Sequence, residues 1–207
     1  FLCGGDTTFS NKLSFSITSV GYSKKFIFRN KANLNDDIYV TGNLGDSFMG
    51  LQVLKNKINI GKKNYEYFVK KYYKPDIQIS LTKKLLSFAS SSIDISDGLI
   101  TDLEKMLNNQ NVSYKLEEDI LPISKNLRDF LKYKKIPKTT FISQGDDYQI
   151  LFTAKPNKSR IILNTSKILG IKITKIGKIN SGKKKSIIID TKGKQILIKN
   201  IGYIHNF

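Results

Sequence analysis

Apolar positions recur along this chain at two spacings, and each change of spacing marks a new element. Leu13, Phe15 and Ile17 alternate with Ser14, Ser16 and Thr18, so Leu13 to Val20 is expected to be a strand behind a glycine-containing loop. Asp37 to Thr41 is a compact strand pattern that runs into the turn Gly42-Asn43-Leu44-Gly45-Asp46, after which Ser47 to Leu54 takes helical spacing. Tyr65 to Tyr73 predicts an aromatic-rich helix closed by Lys74-Pro75, and Thr82 to Phe88 a short one. Ser91 to Ile95 reads as a strand. Leu99, Leu103, Met106 and Leu107 then fall on one helical face. Val112 to Leu116, Tyr148 to Thr153 and Ile171 to Ile179 predict strands. Ser124 to Tyr133 and Ser159 to Leu169 predict helices, and Ile187 to Ile189 with Gln195 to Ile198 a closing hairpin. Strands and helices interleaved in this order indicate an α+β domain.

Residues 1–29 hold one strand pattern and cannot bury a core alone, so they are expected to be the remnant of a sheet domain whose other strands are missing; residues 30–207 form the α+β domain. A start at Phe1 in what reads as the middle of a loop fits the same expectation of truncation. No apolar run approaches the ~20 residues that span a bilayer, and the first residues lack a signal-peptide layout. A cytoplasmic location and no membrane partner are therefore expected. The only cysteine is Cys3 and the only histidine His205, which leaves oxygen ligands for any metal.

A formal charge of +18 invites a nucleic-acid reading. It is set aside because only Arg29, Arg128 and Arg160 are arginine and the lysines are spread through every segment. The densest run, Lys183 to Lys185, follows Asn180-Ser181-Gly182 and is expected to be a solvated hairpin tip.

The segment Asp94-Ile95-Ser96-Asp97-Gly98-Leu99 places two carboxylates and a hydroxyl at a strand-to-helix junction. Amides at a helix start attract anions, and nearby carboxylates hold a hard cation against them, a combination suited to a magnesium–phosphate site. The alternative is that Ser96 or Asp97 caps the helix and Asp94 is a solvated loop acid. Asp102-Leu103 goes with this segment, and three further segments accompany it: Gly4-Gly5-Asp6-Thr7-Thr8, Gln144-Gly145-Asp146-Asp147-Tyr148 continuing to Thr153, and Ile201-Gly202-Tyr203-Ile204-His205-Asn206-Phe207.

In order and spacing these four segments resemble the thiamine-monophosphate kinase family, over essentially all 207 residues. The Thr41-to-Asp46 turn and Ile173-Thr174-Lys175-Ile176-Gly177 match as well. The resemblance implies an aminoimidazole-ribonucleotide-synthetase-like fold, a homodimer, and transfer of the γ-phosphoryl of ATP to thiamine monophosphate with Mg2+. Carried onto this chain, it makes Asp6, Asp94 and Asp97 metal ligands, and Gly5, Asp6, Arg29 and Ser96 nucleotide contacts. Asp146 and Tyr203 become substrate contacts, with Tyr203 equally open to a packing role. Such an assignment suits phosphoryl transfer, which needs positioning and charge neutralisation more than a protein nucleophile. The family has glutamate where this chain has Asp146, one methylene shorter. Its N-terminal magnesium ligands have no counterpart here, so the chain alone is expected to be an incomplete kinase.

Overall fold

A computed structural model describes residues 3–197 and Gly202. Its centre is a six-stranded sheet, ordered β2-β4-β1-β5-β3-β6, from β1 (Asp37–Thr41), β2 (Ala89–Asp94), β3 (Val112–Glu117), β4 (Ile150–Ala154), β5 (Ile173–Ser181) and β6 (Ile187–Ile189). Neighbours pair antiparallel except β3 with β6. The helices are α1 (Asp46–Leu54), α2 (Lys62–Tyr73), α3 (Thr82–Leu85), α4 (Leu99–Leu107), α5 (Lys125–Lys134), α6 (Thr139–Ile142) and α7 (Ser159–Leu169).

Both faces of the sheet are covered, which explains why β1 is buried at all five positions instead of alternating. Ile38 and Val40 enter a larger core with Met49, Phe68, Leu99, Leu103, Leu127 and Leu151. Tyr39 points the other way and stacks on Phe152, beside Leu81, Leu85, Phe88 and Ile162. Helices α1, α2, α4 and α5 thus cover one face, and α3 and α7 the other.

Several expectations change. Leu13 to Val20 forms no strand: residues 3–26 lie outside any regular element, and Leu13, Phe15, Ile17 and Val20 are exposed. An alternating segment is a stable strand only when another strand satisfies its amides and carbonyls, and none of the described strands runs beside it. Contact with the sheet comes later, where Ile27 packs on the Tyr39–Phe152 core and the Phe28 carbonyl accepts the Ser92 amide on edge strand β2. Lys183 to Lys185 does sit in a turn, but the turn leads to β6 paired parallel with β3, so β5 and β6 are not a hairpin. The closing hairpin reduces to a single bridge between Ile189 and Gln195, and Ile198 lies outside the described residues. The helix expected to reach Phe88 ends at Leu85, and the short α6 has no counterpart in the sequence reading.

Candidate functional site

The Asp94–Gly98 and Gln144–Gln149 segments are strapped together by backbone. The Asp146 amide donates to the Ser96 carbonyl at 2.9 Å, the Tyr148 amide to the Ile95 carbonyl at 2.8 Å, and the Ile95 amide to the Gln149 carbonyl at 2.8 Å. Glycine permits this approach. A Cβ at Gly145 would lie 2.0 Å from the Ser96 carbonyl oxygen, and one at Gly98 2.2 Å from that of Ser143. Gly98 also sits at φ 120°, a conformation that side chains disfavour.

Neither Ser96 nor Asp97 caps α4. Instead Asp102, buried within the helix's first turn, turns one carboxylate oxygen back to the amides of Ser96 (2.9 Å), Asp97 (2.8 Å) and Gly98 (3.1 Å). Lys105 bridges its other oxygen to Asp97. Burial would lower the Lys105 ammonium, but hydrogen bonds and charge from Asp97 and Asp102 outweigh it and leave the pKa raised.

These straps form one wall of a cavity of about 630 Å³, within the range of small-molecule sites. Ser96, Asp97, Gln144, Gly145, Asp146 and Tyr148 line that wall; Phe48 and Leu51 of α1, Lys55 and Tyr72 of α2 line the other. Burial and the nearby charge of Asp97 push the Asp146 carboxyl above its ordinary range. Burial, then Asp146 and Asp94, raise the Tyr148 phenol. The cavity therefore combines three aromatic rings with carboxylates that repel one another, a setting that favours a cationic ring. Asp146 and Tyr148 stand at φ 69° and 49°, left-handed conformations that cost roughly 1–2 kcal/mol for residues other than glycine.

Of the residues singled out by sequence, Ser96, Asp97 and Asp146 meet in this cavity. Asp94 lines a separate groove of about 360 Å³ with Ile27, Leu85, Leu86 and Ile93. Gly5 and Asp6 lie in the exposed N-terminal segment, where Asp6 accepts the Thr7 amide, and Arg29 is exposed in a turn. Tyr203 and His205 lie outside the described residues; Gly202 is packed against Thr101 and the Asp97 carbonyl. Among the described residues, no three carboxylates, histidines or cysteines gather in a group able to hold a metal ion, and Asp6, Asp94 and Asp97 stand in three separate places. Sequence reasoning missed Phe48 and Tyr72 as cavity walls, because aromatic residues at helical spacing look the same whether they line a core or a cleft, and it placed Tyr148 at the start of a strand without a role in a site. Asp102, which the sequence places with the Asp94 segment, had no role assigned to it there.

No family model matches the chain. The thiamine-monophosphate kinase of Buchnera aphidicola subsp. Schizaphis graminum is 36% identical over 208 residues, covering 99% of this chain and 63% of that protein. The crystal structure of thiamine-monophosphate kinase from Stenotrophomonas maltophilia K279a superposes with a TM-score of 0.70 at 28% identity, over 82% of this chain and 54% of that one. AaThiL complexed with AMPPCP and TMP shares the fold at a TM-score of 0.71 and 24% identity, over 88% of this chain and 55% of that one. Among the described residues no helix is long and apolar enough to cross a membrane. The chain spans less than two thirds of the length of these relatives; over nearly all of its own length it is similar to thiamine-monophosphate kinases, and it shares their aminoimidazole-ribonucleotide-synthetase-like fold.

Proposed function

We propose that this chain supplies the substrate-binding part of a thiamine-monophosphate kinase, acting in the cytoplasm. The reaction is transfer of the γ-phosphoryl of ATP to thiamine monophosphate, giving thiamine diphosphate. One observation carries the reading: backbone straps bring Ser96 and Asp97 beside Asp146 and Tyr148, in a cavity faced by Phe48 and Tyr72. A thiazolium cation between those rings relieves the repulsion between Asp97 and Asp146, and the polar Ser96 edge faces the phosphate. Asp146 reaches one methylene less far than glutamate, so a small backbone shift or a bridging water completes its contact. Tyr203 is the second proposed substrate contact, a role that rests on the resemblance alone. The bound pair in AaThiL, AMPPCP with TMP, is the combination such a transfer requires.

Gly5, Asp6 and Arg29 are the proposed nucleotide contacts, brought to the cavity when the exposed N-terminal segment docks on further sheet structure, from a homodimer partner or a separate N-terminal portion. Asp6, Asp94 and Asp97 are the carboxylates available to Mg2+, which supplies charge neutralisation to the transferring phosphoryl group. They are not gathered here, so the isolated chain is expected to bind thiamine monophosphate without turning it over.

Titration calorimetry with thiamine monophosphate tests this directly. Binding that weakens roughly tenfold or more in Asp146→Ala is expected. Absence of heat with the unaltered chain, or equal affinity for a neutral isostere lacking the thiazolium charge, sinks the reading.

A further inference from the structure

Asp146 and Tyr148 both line the large cavity, yet Asp147 between them faces the opposite way. It lines a small polar cavity of about 60 Å³ together with Gly42, Asp46, Ser47 and Lys71. There its carboxylate accepts the Gly45 amide at 2.8 Å and, at a longer 3.5 Å, the Ser47 amide, both at the start of α1. The side chain is buried. Helix α1 carries Phe48 and Leu51, the opposite wall of the large cavity. A single buried carboxylate therefore ties the two walls together, from behind the left-handed pair Asp146 and Tyr148.

We propose that Asp147 is a positioning residue: its bond to the start of α1 fixes the separation of the cavity's two walls and holds Asp146 and Tyr148 in the strained conformations that face the ligand. The role rests on the thiamine-phosphate reading only for the identity of the ligand. Gln149 adds a second tie, accepting the Thr41 hydroxyl at 2.8 Å and donating to the Asp76 carbonyl, so the segment is anchored on both sides of Tyr148. Asp147 itself does not line the large cavity.

Native-state hydrogen exchange by NMR on the unaltered chain, in rising urea, tests the clamp without any ligand. The Gly45 amide reports the Asp147 bond, and the Asp146 and Tyr148 amides report the straps to Ser96 and Ile95. A common opening free energy for all three, below that of the β1 and β4 amides, is the expected result; separate opening energies overturn the proposal. In Asp147→Asn, protection should fall in these three amides alone while β1, β4 and β5 keep theirs, and affinity for thiamine monophosphate should drop roughly 10- to 100-fold. Loss of protection spread evenly over the sheet, or unchanged affinity in a variant whose clamp amides have opened, also overturns it. Should the unaltered chain fail to bind thiamine monophosphate, the functional reading falls while the exchange measurement still decides the clamp.

Discussion

Two glycines set how closely the site's segments approach, and each has its own reason. At Gly145 any side chain meets the Ser96 carbonyl, whereas at Gly98 it meets the Ser143 carbonyl and also an unfavourable φ. In both cases the obstacle is backbone, which cannot rotate away as a side-chain tip can. Gly98→Ala and Gly145→Ala should each destabilise by about 3 kcal/mol in urea unfolding. A change under about 0.5 kcal/mol at either position would mean that the straps give way without loss. The glycines and the acids of both motifs were legible in the sequence because their spacing is local. The partner each glycine meets was not, since Ser96 and Gly145 are brought together only by the pairing of β2 with β4. The same limit hid the role of Asp102, though not its place beside the motif: a carboxylate that caps its own helix from inside is indistinguishable, in sequence, from a solvated first-turn acid.

At the scale of elements, helices with a wide apolar face were readable almost to the residue. α5 begins behind Ser124, whose hydroxyl accepts the Leu127 amide at 3.0 Å, and α7 matches the expected Ser159 to Leu169. Elements that depend on distant partners were not: the Leu13 to Val20 pattern has the right period and no neighbour to pair with among the described residues, and β6 joins β3 instead of the strand before it. The α1–α2 pair shows what locks such elements once placed. Tyr67 of α2 donates to the Asp46 carboxylate at 2.8 Å, and Ser124 donates to the other oxygen at 2.6 Å, so one buried acid joins α1, α2 and the start of α5. Burial, then the charge of Asp46, raises the Tyr67 phenol, which keeps it a donor across the working pH range. Tyr67→Phe leaves half of that acid's bonding unmet and should cost about 2 kcal/mol. Chemical denaturation that shows no loss would place the α1–α2 contact on packing alone, through Phe68 and its neighbours.

Over the whole molecule, 35 basic residues face 17 acidic ones, so self-repulsion opposes the compact state and grows as carboxylates protonate. The resolved carboxyl shifts act in the opposite sense. Burial raises Asp46, Asp146, Asp147 and Glu118 above their ordinary values of 3.8 for aspartate and 4.5 for glutamate. Between those ordinary values and the raised native ones, the folded chain keeps protons that the unfolded chain has released. By linkage, these groups lower stability as pH rises through that window and favour the folded state as pH falls back through it. Salt separates the two effects, because mobile ions screen surface repulsion while buried carboxyls are screened far less. In about 0.5 M NaCl, unfolding free energy should therefore be larger at about pH 5 than at about pH 7.5; in about 0.01 M NaCl the gain should shrink or reverse. Asp147→Asn removes the buried acid whose carboxyl is raised well above its ordinary value and should flatten the high-salt slope. If stability at high salt instead rose steadily from pH 5 to 7.5, the native carboxylates would be held below their ordinary range, and the repulsion between Asp97 and Asp146 that favours a cationic ligand would be absent.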